Sequence, residues 1–161
     1  MFRSPFPLTA VALAAVALPA AAAAAPGPLQ ISSRVMVEIR ARAADGTTRL
    51  ALAPARRVVP GDRVTVVLAY RNTGAQPLAG VTLDNPIPRG LVYRAPAPGS
   101  AAPAVSLDGR RYAALDQLRV ALPGGGTRAA VPDDVTHVRW RLDRPLTAGG
   151  GGEFAFQAVL H

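Results

Sequence analysis

Apolar and polar positions alternate along this chain in short runs, each bounded by Pro, Gly, Asn or Asp. That two-residue period is the mark of strands with one face buried. The clearest run sets Val64, Val66, Leu68 and Tyr70 against Arg63, Thr65 and Arg71, between a Pro60-Gly61-Asp62 turn and an Asn72-Thr73-Gly74 stop. Upstream, Val35, Val37 and Ile39 alternate with Arg34, Glu38 and Arg40, which predicts a strand over 34–42. Asp45-Gly46 then turns the chain into a partner strand over 48–52. Downstream, 80–84 carries Val81 and Leu83 inward, while Pro86 and Pro88 flank Ile87 in a stretch poor in ladder donors that is expected to cross between sheets. Extended structure resumes over 91–94.

Residues 105–112 predict a small hairpin about Asp108-Gly109, and 115–122 reads as a strand or a short helical turn. A strand over 135–142 presents Val138, Trp140 and Leu142 on one side and His137, Arg139 and Arg141 on the other. Trp140 is the expected centre of the core. The last strand, 153–160, alternates through Phe154, Phe156, Ala158 and Leu160, and the runs "APAPGSAAPA", "PGGGTRAAVPDD" and "TAGGGG" are expected loops. The sum is an all-β chain of about eight or nine strands in a two-sheet antiparallel sandwich. Residues 34–42 are the expected open edge.

The first 25 residues follow a different plan. Arg3 precedes an apolar run ending at Leu18 and closed by Pro19, and small residues follow to Ala25. This predicts a cleaved signal peptide over 1–25, too short in its apolar part to span a bilayer, then a linker over 26–33 and one domain over 34–161. The protein is therefore expected to be exported, periplasmic or extracellular, with no transmembrane span in its mature form. Cysteine is absent, which excludes disulfides, thiol nucleophiles and thiolate-held metals. The formal charge is +8, carried by 18 Arg with no Lys and spread along the chain. Scattered arginines and few aromatic platforms speak against nucleic acid and for an anionic surface at most.

The stretch "VVPGDRVTVVLAYRNTG", followed by "VTLDNPIPRGLVY", a Trp-bearing strand and the finish "PLTAGGGGEFAFQAVL", resembles the DUF11-type repeat domain of bacterial exported and surface proteins. The resemblance covers roughly 58–160. It implies an immunoglobulin-like sandwich and a non-enzymatic module, usually in tandem on cell surfaces. This chain holds one copy, is expected to carry no sorting signal after Leu160, and has Asn85 where Asp usually precedes the first crossover Pro.

Candidate chemistry is sparse. A triad could be drawn from Ser106, Asp108 and His137, but nothing around Ser106 resembles a nucleophile elbow. Asp133-Asp134 with Asp116 lacks the spacing of a calcium loop, and the Gly runs lack the residues that follow a phosphate cradle. No catalytic, cofactor or metal site is expected. The expected role is contact with an envelope protein or with an anionic polysaccharide or lipid. Arg63, Arg71, Arg139 and Arg141 are the candidate face for an anionic partner.

Overall fold

A computed structural model describes residues 27–42, 44–55 and 58–161; the expected signal peptide lies outside them. The chain runs through ten strands: β1 (Leu29–Arg42), β2 (Thr48–Pro54), β3 (Arg63–Asn72), β4 (Thr82–Pro86), β5 (Leu91–Pro96), β6 (Ala104–Ser106), β7 (Arg119–Ala121), β8 (Thr127–Ala129), β9 (His137–Arg141) and β10 (Gly151–Leu160). Eight of them form the two layers of an antiparallel sandwich, one sheet ordered β2-β1-β3-β10-β5 and the other β4-β9-β6. β7 and β8 make a separate hairpin at the end of the core. The stretch around Pro86 and Pro88 does cross between layers, since β4 lies in the three-stranded sheet and β5 in the five-stranded one.

The alternation read along each strand becomes the packing between sheets. Val64, Val66 and Leu68 of β3, Phe156 and Ala158 of β10 and Tyr93 of β5 meet Leu83 of β4, Val138 and Trp140 of β9 and Val105 of β6, all buried. Five aromatic rings form a continuous ladder through this interface. Tyr70 stacks on Phe154 (5.4 Å) and Phe154 on Trp140 (5.2 Å, 5° between planes); Trp140 then tilts over Phe156, which meets Tyr93. Trp140 is 3% exposed, and its indole N–H donates to the Ala101 carbonyl at 2.8 Å. The expectation of a core Trp holds, with a polar handle satisfied in the loop between β5 and β6.

Several boundaries differ from the sequence reading. β1 begins at Leu29, inside the span taken as a linker, because Leu29 and Ile31 pair with Asn72 and Tyr70 of β3 and carry the ladder to its end. Ser33 interrupts the apolar register there and hides the continuation. β1 is also interior, flanked by β2 and β3, so the open edge on this side is β2. Residues 115–122 use both alternatives, a 3-10 turn at Leu115–Gln117 followed by β7, and the "PGGGTRAAVPDD" loop contains β8. The two Asp-Gly turns form with Gly46 at φ 81° and Gly109 at φ 74°, the left-handed region that suits glycine.

The "GGGG" run is a correction of more consequence. Gly151 and Gly152 are the first two residues of β10, paired with Arg71 and Tyr70, rather than part of a flexible loop. A Cβ on Gly151 would stand 2.5 Å from the Tyr70 carbonyl oxygen, and one on Gly152 would stand 2.5 Å from the Tyr70 hydroxyl and 2.8 Å from its ring. Side-chain-free backbone is what lets the Tyr70 ring lie flat against the strand and stack on Phe154. Gly152→Ala is therefore expected to push the ring out of the ladder and cost about 1–3 kcal/mol. Urea unfolding monitored by Trp140 fluorescence checks it, and an unchanged midpoint would contradict it.

Candidate functional site

The residues that could have carried chemistry are brought close together and then committed to one another. Ser106, Asp108 and His137 do converge, since Ser106 pairs with His137 across β6 and β9. Ser106 is fully buried, however, and its hydroxyl donates to Asp108 Oδ1 at 3.0 Å while accepting from the backbone N–H of Gly109 at 2.9 Å. The same Asp108 oxygen accepts from the N–H groups of Arg110 and Arg111 at 2.8 and 3.1 Å. These backbone bonds, Arg110 first, hold the Asp108 carboxyl below its ordinary value. The hydroxyl proton thus points at a carboxylate that closes a turn. His137 bonds Thr136 through Nδ1 at 2.9 Å and lies against Gly109. The constellation organises the β6 hairpin and leaves no exposed nucleophile at Ser106.

The acidic residues are engaged separately. Asp133 pairs with Arg94, whereas Asp134 receives both ends of the Arg128 guanidinium, at 2.6 and 2.7 Å, and the Val131 N–H at 2.8 Å. The Arg128 hydrogen bonds, and then that of Val131, bring the Asp134 carboxyl down to about 2. Among the described residues no three His, Asp or Glu side chains cluster as metal ligands would. Because the folded value is depressed from 3.8, Asp134 contributes stability that is present above 3.8 and is lost as pH falls towards about 2. Asp134→Asn is expected to flatten acid destabilisation over that window, checked by thermal unfolding at stepped pH. Equal slopes for the two proteins would contradict it.

The four arginines singled out from the sequence do not share a face. Arg63 and Arg71 project outward from β3 in the five-stranded sheet, and Arg139 and Arg141 outward from β9 in the three-stranded sheet. The pairs therefore stand on opposite sides of the sandwich. Alternation shows which side of its own strand a residue takes, and is silent on which sheet the strand joins. Arg63 and Arg71 are also eight residues apart on one strand, about 26 Å. Between them Thr65 and Val67 are buried, and Arg34 of β1 is neutralised by Glu153 of β10. Arg139 is occupied as well, for its guanidinium grips Asp84 through two bonds of 2.9 and 2.6 Å and sits 3.5 Å over the Tyr112 ring. That grip holds Asp84 below its ordinary value. Arg63, Arg71 and Arg141 remain exposed, with no ion pair among the described residues.

A different surface was missed in the sequence. The inward side of β1 reads Leu29, Ile31, Ser33, Val35, Val37 and Ile39, facing the same way as the buried Val64, Val66 and Leu68 of β3. The three-stranded sheet covers β3, β10 and β5 but stops short of this outer pair of strands, so Ile31 remains 46% exposed and Ile39 43%. Val35 and Val37 are half-buried against the core margin. On β2, Ala51 and Ala53 continue the same side, opposite Ile39 and Val37. An open depression of about 870 Å³ near the start of β1 is lined from both alternation sets, by Gln30, Ala69, Arg71 and Glu153 as well as Leu29, Ile31, Tyr70 and Gly152. The signal that could have revealed it is the chain's own alternation, since the first strand is written for burial and the opposing sheet is too narrow to bury it.

In comparisons with known proteins the chain matches no family model, no curated protein and no solved structure.

Proposed function

We propose that the chain is a non-enzymatic, DUF11-like module that is exported to the cell envelope and works there by contact with a protein or surface. One observation carries this reading: the polar groups that could do chemistry are closed on structural partners, while a side of β1 built for burial is left uncovered. An apolar surface of that kind on a small domain speaks for a binding partner rather than a substrate. The export half of the reading rests on the N-terminal pattern of Arg3, an apolar run and small residues. A tagged full-length chain, expressed in a bacterium that exports proteins, fractionated and crosslinked, tests both halves. The expected product is shorter by about 25 residues, sits outside the cytoplasm and crosslinks to envelope material. A full-length cytoplasmic product, or turnover of a substrate by the purified protein, would overturn it.

Exposed Arg63, Arg71 and Arg141 favour a second reading, a binding module for an anionic polysaccharide or lipid. Such binding must weaken steeply as salt rises, because exposed charges more than a Debye length apart are screened. Retention on an anionic matrix that is indifferent to salt would rule it out.

A further inference from the structure

We infer that the uncovered side of the β1–β2 wing is a self-association surface, and that its occupant is the same wing of a second copy of this chain. The inference names a partner for the contact reading, yet it concerns the purified chain alone and stands or falls apart from export.

One sheet has five strands and the other three, so the sandwich has a step two strands wide above β1 and β2. The wing that projects beneath the step is itself two strands wide. Two copies related by a two-fold axis fit each wing into the other's step. The wing of the second copy then lies in the layer of the first copy's three-stranded sheet. The paired wings face each other at the roughly 10 Å spacing of stacked sheets. The joint object is two continuous layers with both steps filled. A two-fold contact requires the same patch on both sides, and here the patch and the projection that fills it are one element.

A chain of formal charge +8 meets a second copy of itself only through a surface that opposes no arginine to another. On β1, Arg34, Glu38 and Arg42 occupy one alternation set, and the inward set from Leu29 to Ile39 is uncharged throughout. On β2, Arg49 is paired with Ala41 at the hairpin end of the wing. An acidic partner would be met through arginines, whereas a like-charged one is met through the uncharged run of β1 from Leu29 to Ile39.

Fourteen residues at about 3.3 Å each and two strands at about 4.8 Å give a projected face of at most about 450 Å² per copy. Doubled, it falls near the lower limit of about 1,000 Å² for specific interfaces. The dimer is accordingly concentration-dependent rather than obligate.

Sedimentation equilibrium of the purified chain tests the proposal at protein concentrations up to about 100 μM, in low and high salt. The expected result is a monomer–dimer equilibrium that tightens as salt screens the repulsion between like-charged copies. Ile39→Arg is expected to raise the dissociation constant at least about tenfold, with unfolding unchanged because the side chain is already substantially exposed. Leu52→Arg, at an exposed position in the opposite alternation set of the same wing, is expected to leave dimerisation intact. A wild type that stays monomeric throughout the series overturns the proposal. Equal loss of dimer in the two variants overturns it in favour of pairing along the β2 edge. A monomer that co-sediments with anionic phospholipid vesicles, and releases them on Ile39→Asp, assigns the surface to lipid instead.

Discussion

Trp140→Ala is expected to destabilise the fold by about 3–5 kcal/mol, a substantial fraction of what holds a domain of this size together. The indole sits at the centre of the five-ring ladder, stacked on Phe154 at 5.2 Å and within 6.4 Å of Phe156, so its removal separates Tyr70 and Phe154 from Phe156 and Tyr93. A cavity opens between the sheets where neither can collapse, because both are fixed by their own ladders. The loop carbonyl of Ala101 loses its donor at the same time. Trp140→Phe separates these contributions, since it retains a stacked ring and removes the N–H, and it is expected to cost less than half as much. Urea unfolding followed by far-UV circular dichroism is the measurement, the only Trp having been removed. A loss below about 1 kcal/mol for Trp140→Ala would mean that the ladder adds little to the sheet pairing.

That Trp140 would be central was legible in the sequence, and the reason is local. Val138 and Leu142 flank it at the two-residue period, so its side of the strand follows from the strand alone. The same logic recovered Val64, Val66 and Leu68 on β3 and Phe156 and Ala158 on β10, all buried. What alternation left open is any relation between strands far apart in the chain. Arg63 and Arg139 look equivalent in the sequence and stand on opposite sides of the sandwich, because sheet membership is decided by pairing. The start of β1 was lost for a related reason. Ser32 and Ser33 weaken the apolar signal, and only pairing with Ala69 and Leu68 of β3 shows them to be in a strand. The uncovered wing likewise depends on counting strands in both sheets.

Asn72 was read from the sequence as a residue suited to ending a strand, and the structure gives it a larger part. Asn72→Asp is accordingly expected to cost at least about 3 kcal/mol at neutral pH, more than Asn72→Ala. The side chain is fully buried, and its amide nitrogen donates to the carbonyls of Gln76 at 2.8 Å and of Leu146 and Thr147 at 3.1 Å. Its amide oxygen accepts from the Gly74 N–H at 2.9 Å. The backbone of the same residue bonds Gly150 and Gly149, at 2.8 and 3.0 Å. One residue thus ties the end of β3 to the turn that follows it and to the loop that leads into β10. Alanine leaves the Gln76 carbonyl and the Gly74 N–H without this partner, each costing about 1–3 kcal/mol where water does not replace it, while the Leu146 and Thr147 carbonyls keep the N–H groups of Leu78 and Gly150. Aspartate is worse while ionised, because it offers acceptors to carbonyl oxygens that are themselves acceptors and places a charge in a buried site. Burial among those oxygens raises the pKa of the introduced carboxyl above its unfolded value. The folded state of Asn72→Asp then binds more protons than the unfolded state, so its stability rises as pH falls towards the unfolded value. This trend is opposite to the one Asp134 imposes on the wild type. Urea midpoints at neutral and mildly acidic pH, followed by Trp140 fluorescence, separate the two variants: Asn72→Asp should recover on acidification and Asn72→Ala should not. If both lose the same amount at every pH, the three carbonyl bonds do not govern this junction and the loss reflects packing alone.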